Sequence, residues 1–318
     1  KVYGGQIAES WEWEDDNTMV FHLYEGVKFS DGEELTADDV IFSIYVLSDP
    51  TYDGSSTLYS NKISGMADYR SGMETRFNLV FNTERAGYEA NDFFTEEDYN
   101  EFWAAFDAAG EMFVQEIVDY CIAAGYGTNV SEGAAAWGFG DLAADATAAD
   151  FFAMMVTAYN GNLAQLSSVE SAGTSLFDFM EKYADYTVGV ATGEGAANIE
   201  GIKKTGDYSF TVTTSKIDAT AIYQLNFNVA PMHYYGDAAL YDYDNNMFGF
   251  TKGDLSHVRS VTTQPMGAGP YQFIKFENGV VNFERNEHYY QGTPKIKYVN
   301  FMETQEADKL NGVVTGTI

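Results

Sequence analysis

The sequence predicts a mixed α/β fold, and three observations carry that reading. Period-two alternation runs through residues 18–24 and 208–213. Ser or Thr followed three positions later by Asp opens several amphipathic runs, the signature of a capped helix. The two kinds of segment are interspersed rather than segregated. Hydrophobic residues make up 45% of the 318 and aromatics 16%, enough to build a sizeable core, so global disorder is excluded.

In chain order, Met19, Phe21 and Leu23 share one face of a strand, with Val20, His22 and Tyr24 on the other. Asp15-Asp16-Asn17 before it and Ser30-Asp31-Gly32 after it carry turn chemistry. Thr36 and Asp39 form a capping box. Val40, Ile41, Ile44 and Leu47 make the buried stripe of the helix it opens, which stops before Asp49-Pro50. Phe77 to Phe81 reads as a short alternating strand. From about residue 85 to 195 the chain turns Ala-rich and helical. Three further capping boxes are expected there, Thr95 with Asp98, Thr147 with Asp150 and Ser175 with Asp178. They open the runs Tyr99/Phe102/Trp103/Phe106, Phe151/Phe152/Met155/Tyr159 and Leu176/Phe179/Met180/Tyr183. A separate stripe, Met112/Phe113/Ile117/Val118/Cys121, follows Gly110, and Gly-rich breaks lie at 125–140 and 189–195. The whole reads as a helical insertion with its own core. Beyond residue 198, Tyr208, Phe210 and Val212 alternate with polar neighbours, and 222–229 is a mostly apolar stretch among the strand signals. Residues 271–276 and 280–285 flank Glu277-Asn278-Gly279 as a hairpin, and 296–302 reads as one more strand.

Charge and motifs narrow the function. Against 17 Lys and Arg stand 48 Asp and Glu, a net charge of −31. Such a surface repels phosphate backbones and anionic headgroups, so neither nucleic acid nor a peripheral membrane surface is an expected partner. The plain reading of the charge is a solubilising face; attraction of a cationic ligand is the other. No apolar run approaches the roughly 20 residues of a bilayer span, and residues 1–5 do not read as a signal peptide. Cys121 is alone, which excludes an intrachain disulfide, and its apolar flank suggests a buried thiol. His22, His233, His257 and His288 are scattered, and His-Glu-x-x-His, Gly-x-Ser-x-Gly and Gly-Lys-Ser/Thr are absent. Gly267-Ala268-Gly269 lacks a third glycine and precedes a strand, so it is not a dinucleotide fingerprint. Asp242, Asp244 and Asn246 imitate a calcium loop, but Met247 stands where Gly is needed and Gly253 where Glu should be. Asn129-Val130-Ser131 fits a glycosylation acceptor, a tripeptide common by chance. No catalytic residue, metal site or cofactor is expected, which favours a binding protein over an enzyme.

Two long, ordered stretches then carry a resemblance. The first is Ile7-Ala8-Glu9-Ser10-Trp11-Glu12, Phe21-His22-Leu23, Gly26-Val27-Lys28-Phe29-Ser30-Asp31-Gly32 and Leu35-Thr36-Ala37-Asp38-Asp39-Val40. The second is Met266-Gly267-Ala268-Gly269-Pro270-Tyr271, Phe283-Glu284-Arg285-Asn286, Tyr289-Tyr290 and Gly292-Thr293-Pro294-Lys295. Together they resemble extracellular solute-binding proteins of family 5, the oligopeptide- and dipeptide-binding subunits of ABC importers. The resemblance implies periplasmic-binding-protein type II-like lobes, with residues 1–214 as an accessory lobe that includes the insertion at about 85–195. Residues 215–318 would be part of principal lobe I, and the opposite lobe would be absent, making the chain part of a longer protein. By the same token the protein would be a monomer at the extracellular face of the membrane, lipid-anchored through an upstream cysteine, or in the periplasm. It would capture a peptide-like solute in an interlobe cleft and deliver it to ABC permease subunits.

Within this chain the expected cleft residues are Met266, Gly267, Gly269 and Tyr271, whose Gly-rich backbone lets a ligand approach closely, and Tyr52 and Tyr59. Turns, caps and core are the competing reading of these residues. Two alternatives stay open: a non-peptide solute such as a nickel chelate or an oligosaccharide, and an interaction or adhesion module using the helical insertion.

Overall fold

Each element forms where local chemistry and burial agree, and the mixed α/β class predicted above is the observed one. The computed structural model describes residues 6–316, apart from 141, 219, 303 and 305–308, and not the side chain of residue 311. The readings placed on residues 1–5 and 317–318 lie outside these.

Strands β1 (Ala8–Trp13) and β2 (Thr18–Leu23) pair antiparallel, with the Asp15 carboxylate accepting from the Asn17 and Thr18 N–H groups in the turn. Helix α1 (Ala37–Ser48) begins at the expected capping box, Thr36 with Asp39, and stops at Asp49. Short helix α2 (Met66–Arg70) follows, then strand β3 (Met73–Thr75). Helix α3 (Arg76–Phe81) stands where the alternation of Phe77 and Phe81 predicts a strand. Thr75 caps it by accepting from the Asn78 N–H, and the buried pair is Phe77 and Val80, a spacing of three.

Helix α4 (Glu96–Ala123) runs unbroken for 28 residues from the Thr95–Asp98 box. The expected second helix after Gly110 is thus the continuation of the first, and Met112 is exposed while Phe113, Ile117, Val118 and Cys121 are buried. Helices α5 (Val130–Ala136), α6 (Ala148–Ala158) and α7 (Leu163–Glu170) follow, α6 with the Thr147–Asp150 box intact. Helix α8 (Leu176–Phe179) is a single turn without the expected Ser175–Asp178 box. Ser167 Oγ takes the Leu176 N–H and lies 2.9 Å from Ser175 Oγ, which itself accepts from Phe177. Helix α9 (Tyr183–Tyr186) and strand β4 (Gly189–Ala191) complete this region, β4 pairing with β3.

Strands β5 (Ile202–Gly206) and β6 (Ser209–Thr213) close a four-stranded antiparallel sheet in the order β1-β2-β6-β5. The apolar stretch at 222–229 is not a paired strand: α10 (Ala221–Gln224) is a helical turn, and the rest up to Pro231 is neither helix nor strand. Helix α11 (Met232–Tyr235), the ribbon of β7 (Tyr241–Asp242) with β8 (Met247–Phe248), and α12 (Ser256–Val261) follow. The predicted hairpin is present as β9 (Tyr271–Glu277) and β10 (Val280–Arg285), joined by β11 (Tyr298–Met302) in a three-stranded sheet; α13 (Lys309–Thr315) comes last.

The chain divides into two units, Lys1–Glu74 with Ala191–Ile318, and Thr75–Val190. In the first unit the sheet packs on α1 through Met19, Phe21, Phe210, Ile41, Ile44 and Tyr45. Tyr45 also stacks on Phe248, its hydroxyl accepting from the Ile199 N–H at 2.9 Å. In the second unit α4 supplies the spine of a separate core, with Phe102, Phe106, Phe113 and Ile117 against Phe77, Phe151 and Leu166. Gly110 has a reason to be glycine: a Cβ there would sit 2.1 Å from Cδ1 of Phe152.

Candidate functional site

A cavity of about 790 Å³ opens in the first unit. One wall comes from the end of α1 and the following loop, through Leu47, Tyr52, Ser55 and Ser56. Thr57, Leu58, Ser60, Asn61 and Lys62 also line it, with Leu58 buried. The facing wall is the segment 218–228, which presents Tyr223, Gln224, Asn226, Phe227 and Asn228.

The loop that carries Tyr52 is held rigidly from beneath. Asp49 is fully buried, and Pro50 after it ends α1. Its carboxylate accepts from Thr51 N and Oγ1 at 2.8 and 2.6 Å and from Gly253 N at 2.9 Å. Arg70 donates to the carbonyls of Ser48 and Asp49 at 3.0 and 2.6 Å, and Arg259 donates to that of Thr51 at 2.8 Å. A buried charge bonded this fully fixes the backbone around it. The Tyr52 hydroxyl then accepts from Ser56 N at 3.2 Å, curling the loop around its ring.

The two walls are stitched together at the base. Asn61 Nδ2 donates to the Gln224 carbonyl at 3.1 Å, and Ser215 N donates to that of Lys62 at 2.7 Å. Lys62 and Asp218 are the charged side chains among the described lining residues. Bonds from the Thr220 hydroxyl and N–H, with a smaller pull from Lys62, hold the Asp218 carboxyl below its ordinary range.

The residues expected at the cleft divide. Tyr52 lines the cavity. Met266 is absent from the lining but packs on the same small cluster as Tyr52, around Phe42, Val46, Tyr235 and Leu255, and its N–H donates to the Tyr235 hydroxyl at 3.0 Å. Tyr59 points elsewhere, its ring 4.3 Å from the Arg70 guanidinium carbon. Gly267 and Gly269 are joined to scaffold through their carbonyls, which accept from Ser30 N at 3.1 Å and from Asn286 Nδ2 at 2.9 Å. A Cβ on either glycine would meet nothing within 4 Å, so no described part of this chain uses the close approach they permit. Tyr271 enters β9 with its hydroxyl donating to the Ile296 carbonyl at 3.2 Å. Asn286, 1% exposed, is the brace of this junction, since it also donates from its backbone to Pro270.

The wall at 218–228 was missed as a functional segment, although its signal is in the sequence. Leu225, Phe227 and Val229 pack toward the core, while Asn226 and Asn228 between them face the opening. Among the described residues no group of three or more His, Cys, Asp or Glu is placed to hold a metal ion, and no helix is long and apolar enough to cross a membrane. The Asp242–Asn246 segment is a turn in which Asp242 bonds Asn245, and Asn246 accepts from Asn198.

Comparison with known proteins adds the family. A periplasmic alpha-galactoside-binding protein of Rhizobium meliloti is 51% identical over 37 residues, 11% of this chain and 5% of that protein. The periplasmic oligopeptide-binding protein OppA of Salmonella typhimurium is 46% identical over 44 residues, 14% of this chain and 8% of that protein. Among solved structures, lactococcal OppA with an endogenous peptide matches 98% of this chain and 35% of its own, at 14% identity and a TM-score of 0.47. NikZ from Campylobacter jejuni with Ni(L-His) matches 98% and 33%, at 14% identity and a TM-score of 0.42. The chain therefore spans about a third of the length of these solved structures. The family model for bacterial extracellular solute-binding proteins, family 5 Middle, matches residues 3–100 and 138–318, and the chain belongs to that family of binding proteins.

Proposed function

We propose that this chain is part of the substrate-binding component of an ABC importer and that the cavity between residues 47–62 and 218–228 contacts the solute. The observation that supports this most is an open, rigidly framed cavity of about 790 Å³ on a chain of a solute-binding family. That volume lies within the roughly 300–1,000 Å³ of small-molecule sites. In this reading residues 1–214 form an accessory lobe and 215–318 part of a principal lobe. An opposite lobe closes over the solute, and closure is stabilised by contacts made only in the closed state. The loaded protein, at the extracellular face of the membrane or in the periplasm, hands its cargo to permease subunits. A peptide-like solute is the class that the family resemblance favours; the α-galactoside- and oligopeptide-binding relatives name two chemistries to compare.

A thermal-shift and calorimetric screen against short peptides, nickel chelates and oligosaccharides tests the reading. A ligand that binds only the folded protein raises its melting temperature with concentration. Tyr52→Ala is expected to weaken the responding ligand at least about tenfold. Silence toward all three classes, together with no importer genes beside its own, contradicts the proposal.

A further inference from the structure

We infer that the cavity is built for a neutral, polyhydroxylated solute, an oligosaccharide, in preference to a peptide. The inference rests on the solute-binding reading above and adds the class of solute. The lining explains it. Asn226, Asn228, Ser55 and Thr57 are all exposed and line the cavity, the first two on 218–228 and the others on 47–62. A carboxamide offers an acceptor oxygen and two donor hydrogens, and a hydroxyl offers both roles, which is the pairing a sugar hydroxyl needs. A peptide's free ends require fixed opposite charges instead.

The described lining offers little such charge. Lys62 and Asp218 are its two charged side chains, and one Asp218 oxygen is already taken by Thr220 N and Oγ1 at 2.8 and 2.6 Å. What is left for the solute is neutral hydrogen-bonding capacity beside flat apolar faces. Tyr223 is 60% exposed at the rim, and Tyr52 and Phe227 are half-buried in the walls. Aromatic rings of this kind present an apolar face with few rotatable bonds to order, which suits the C–H faces of pyranose rings. A site made to bond hydroxyls also discriminates strongly, because a ligand without them leaves its polar groups unpaired.

The test is saturation-transfer NMR and calorimetry on the full-length protein that carries this chain, with maltotriose, cellotriose and raffinose in one arm and trialanine and trilysine in the other, each at millimolar concentration. A trisaccharide is expected to bind and to receive saturation on its ring C–H protons. Its affinity is expected to change less than about twofold between low and high salt, since no ion pair is formed. Asn226→Ala and Tyr223→Ala, both at exposed positions, are each expected to weaken it at least about fivefold with unchanged circular dichroism. Binding of a tripeptide with no trisaccharide response overturns the oligosaccharide inference and leaves the solute-binding reading standing. Binding of neither class contradicts both. Trisaccharide affinity that is indifferent to both substitutions overturns the assignment of this cavity.

Discussion

Carboxyl groups in this chain respond to their surroundings in opposite directions. Asp98 and Asp150 accept the cap backbone N–H and hydroxyl of Thr95 and Thr147, and those bonds hold them below the ordinary 3.8. The unfolded chain then binds more protons than the folded one, so their contribution is present above 3.8 and lost as pH falls through the lowered value. Asp39 is the reverse. Burial beside α1 raises it, although N–H groups of Thr36 and Met232 at 2.9 Å each pull the other way. Its contribution is complete below 3.8 and declines as pH rises through its folded value. Melting temperature is therefore expected to fall on acidification below about pH 4, as the two capping carboxyls take up protons. Asp98→Asn with Asp150→Asn should flatten that acid limb, and Asp39→Asn should remove the opposing gain in stability on acidification toward 3.8. An Asp39 variant that keeps that gain would show that burial does not raise this carboxyl.

At the level of elements, the capping boxes were the most legible feature. Thr36, Thr95 and Thr147 each start a helix as read, because the cap and its Asp lie three residues apart and depend on nothing distant. Readings failed where a distant partner decided the outcome. The stripe after Gly110 reads as separate from the one before it, yet Phe152 fills the space above Gly110 and α4 continues. Phe77 and Phe81 alternate like a strand, yet Phe77 and Val80 bury together on one helical face. In the candidate site Tyr52 was legible, but the facing wall was not. Its Asn226 and Asn228 matter only because Asn61 brings the two segments together across more than 160 residues. Gly110→Ala is expected to lower stability by about 1–3 kcal/mol through the clash with the buried Phe152 ring. That outweighs the helix-propensity gain of up to about 1 kcal/mol. Urea unfolding measures the balance; a midpoint equal to or above that of the parent would mean that Phe152 moves aside freely.

Across the whole molecule, the two hydrophobic cores share no residue. The first unit also closes on itself where the second leaves and returns, since the N–H groups of Thr192 and Gly193 donate to the Gly72 carbonyl at 2.9 and 3.2 Å. Replacing residues 75–190 by a short Gly-Ser linker is therefore expected to leave the first unit with a single cooperative urea transition. Loss of cooperativity would show that its core depends on the helical unit.

The order of the four-stranded sheet has a consequence in time. Phe21 of β2 is paired with Phe210 of β6, so the sheet's central pairing spans roughly 190 residues of sequence. A ribosome adding about 5–20 residues each second needs on the order of 10–40 s to supply the second partner. Throughout that interval the β1–β2 hairpin waits with one edge open, and before it ends everything the helical unit requires has emerged. During synthesis the inserted unit is therefore able to mature before the sheet it interrupts.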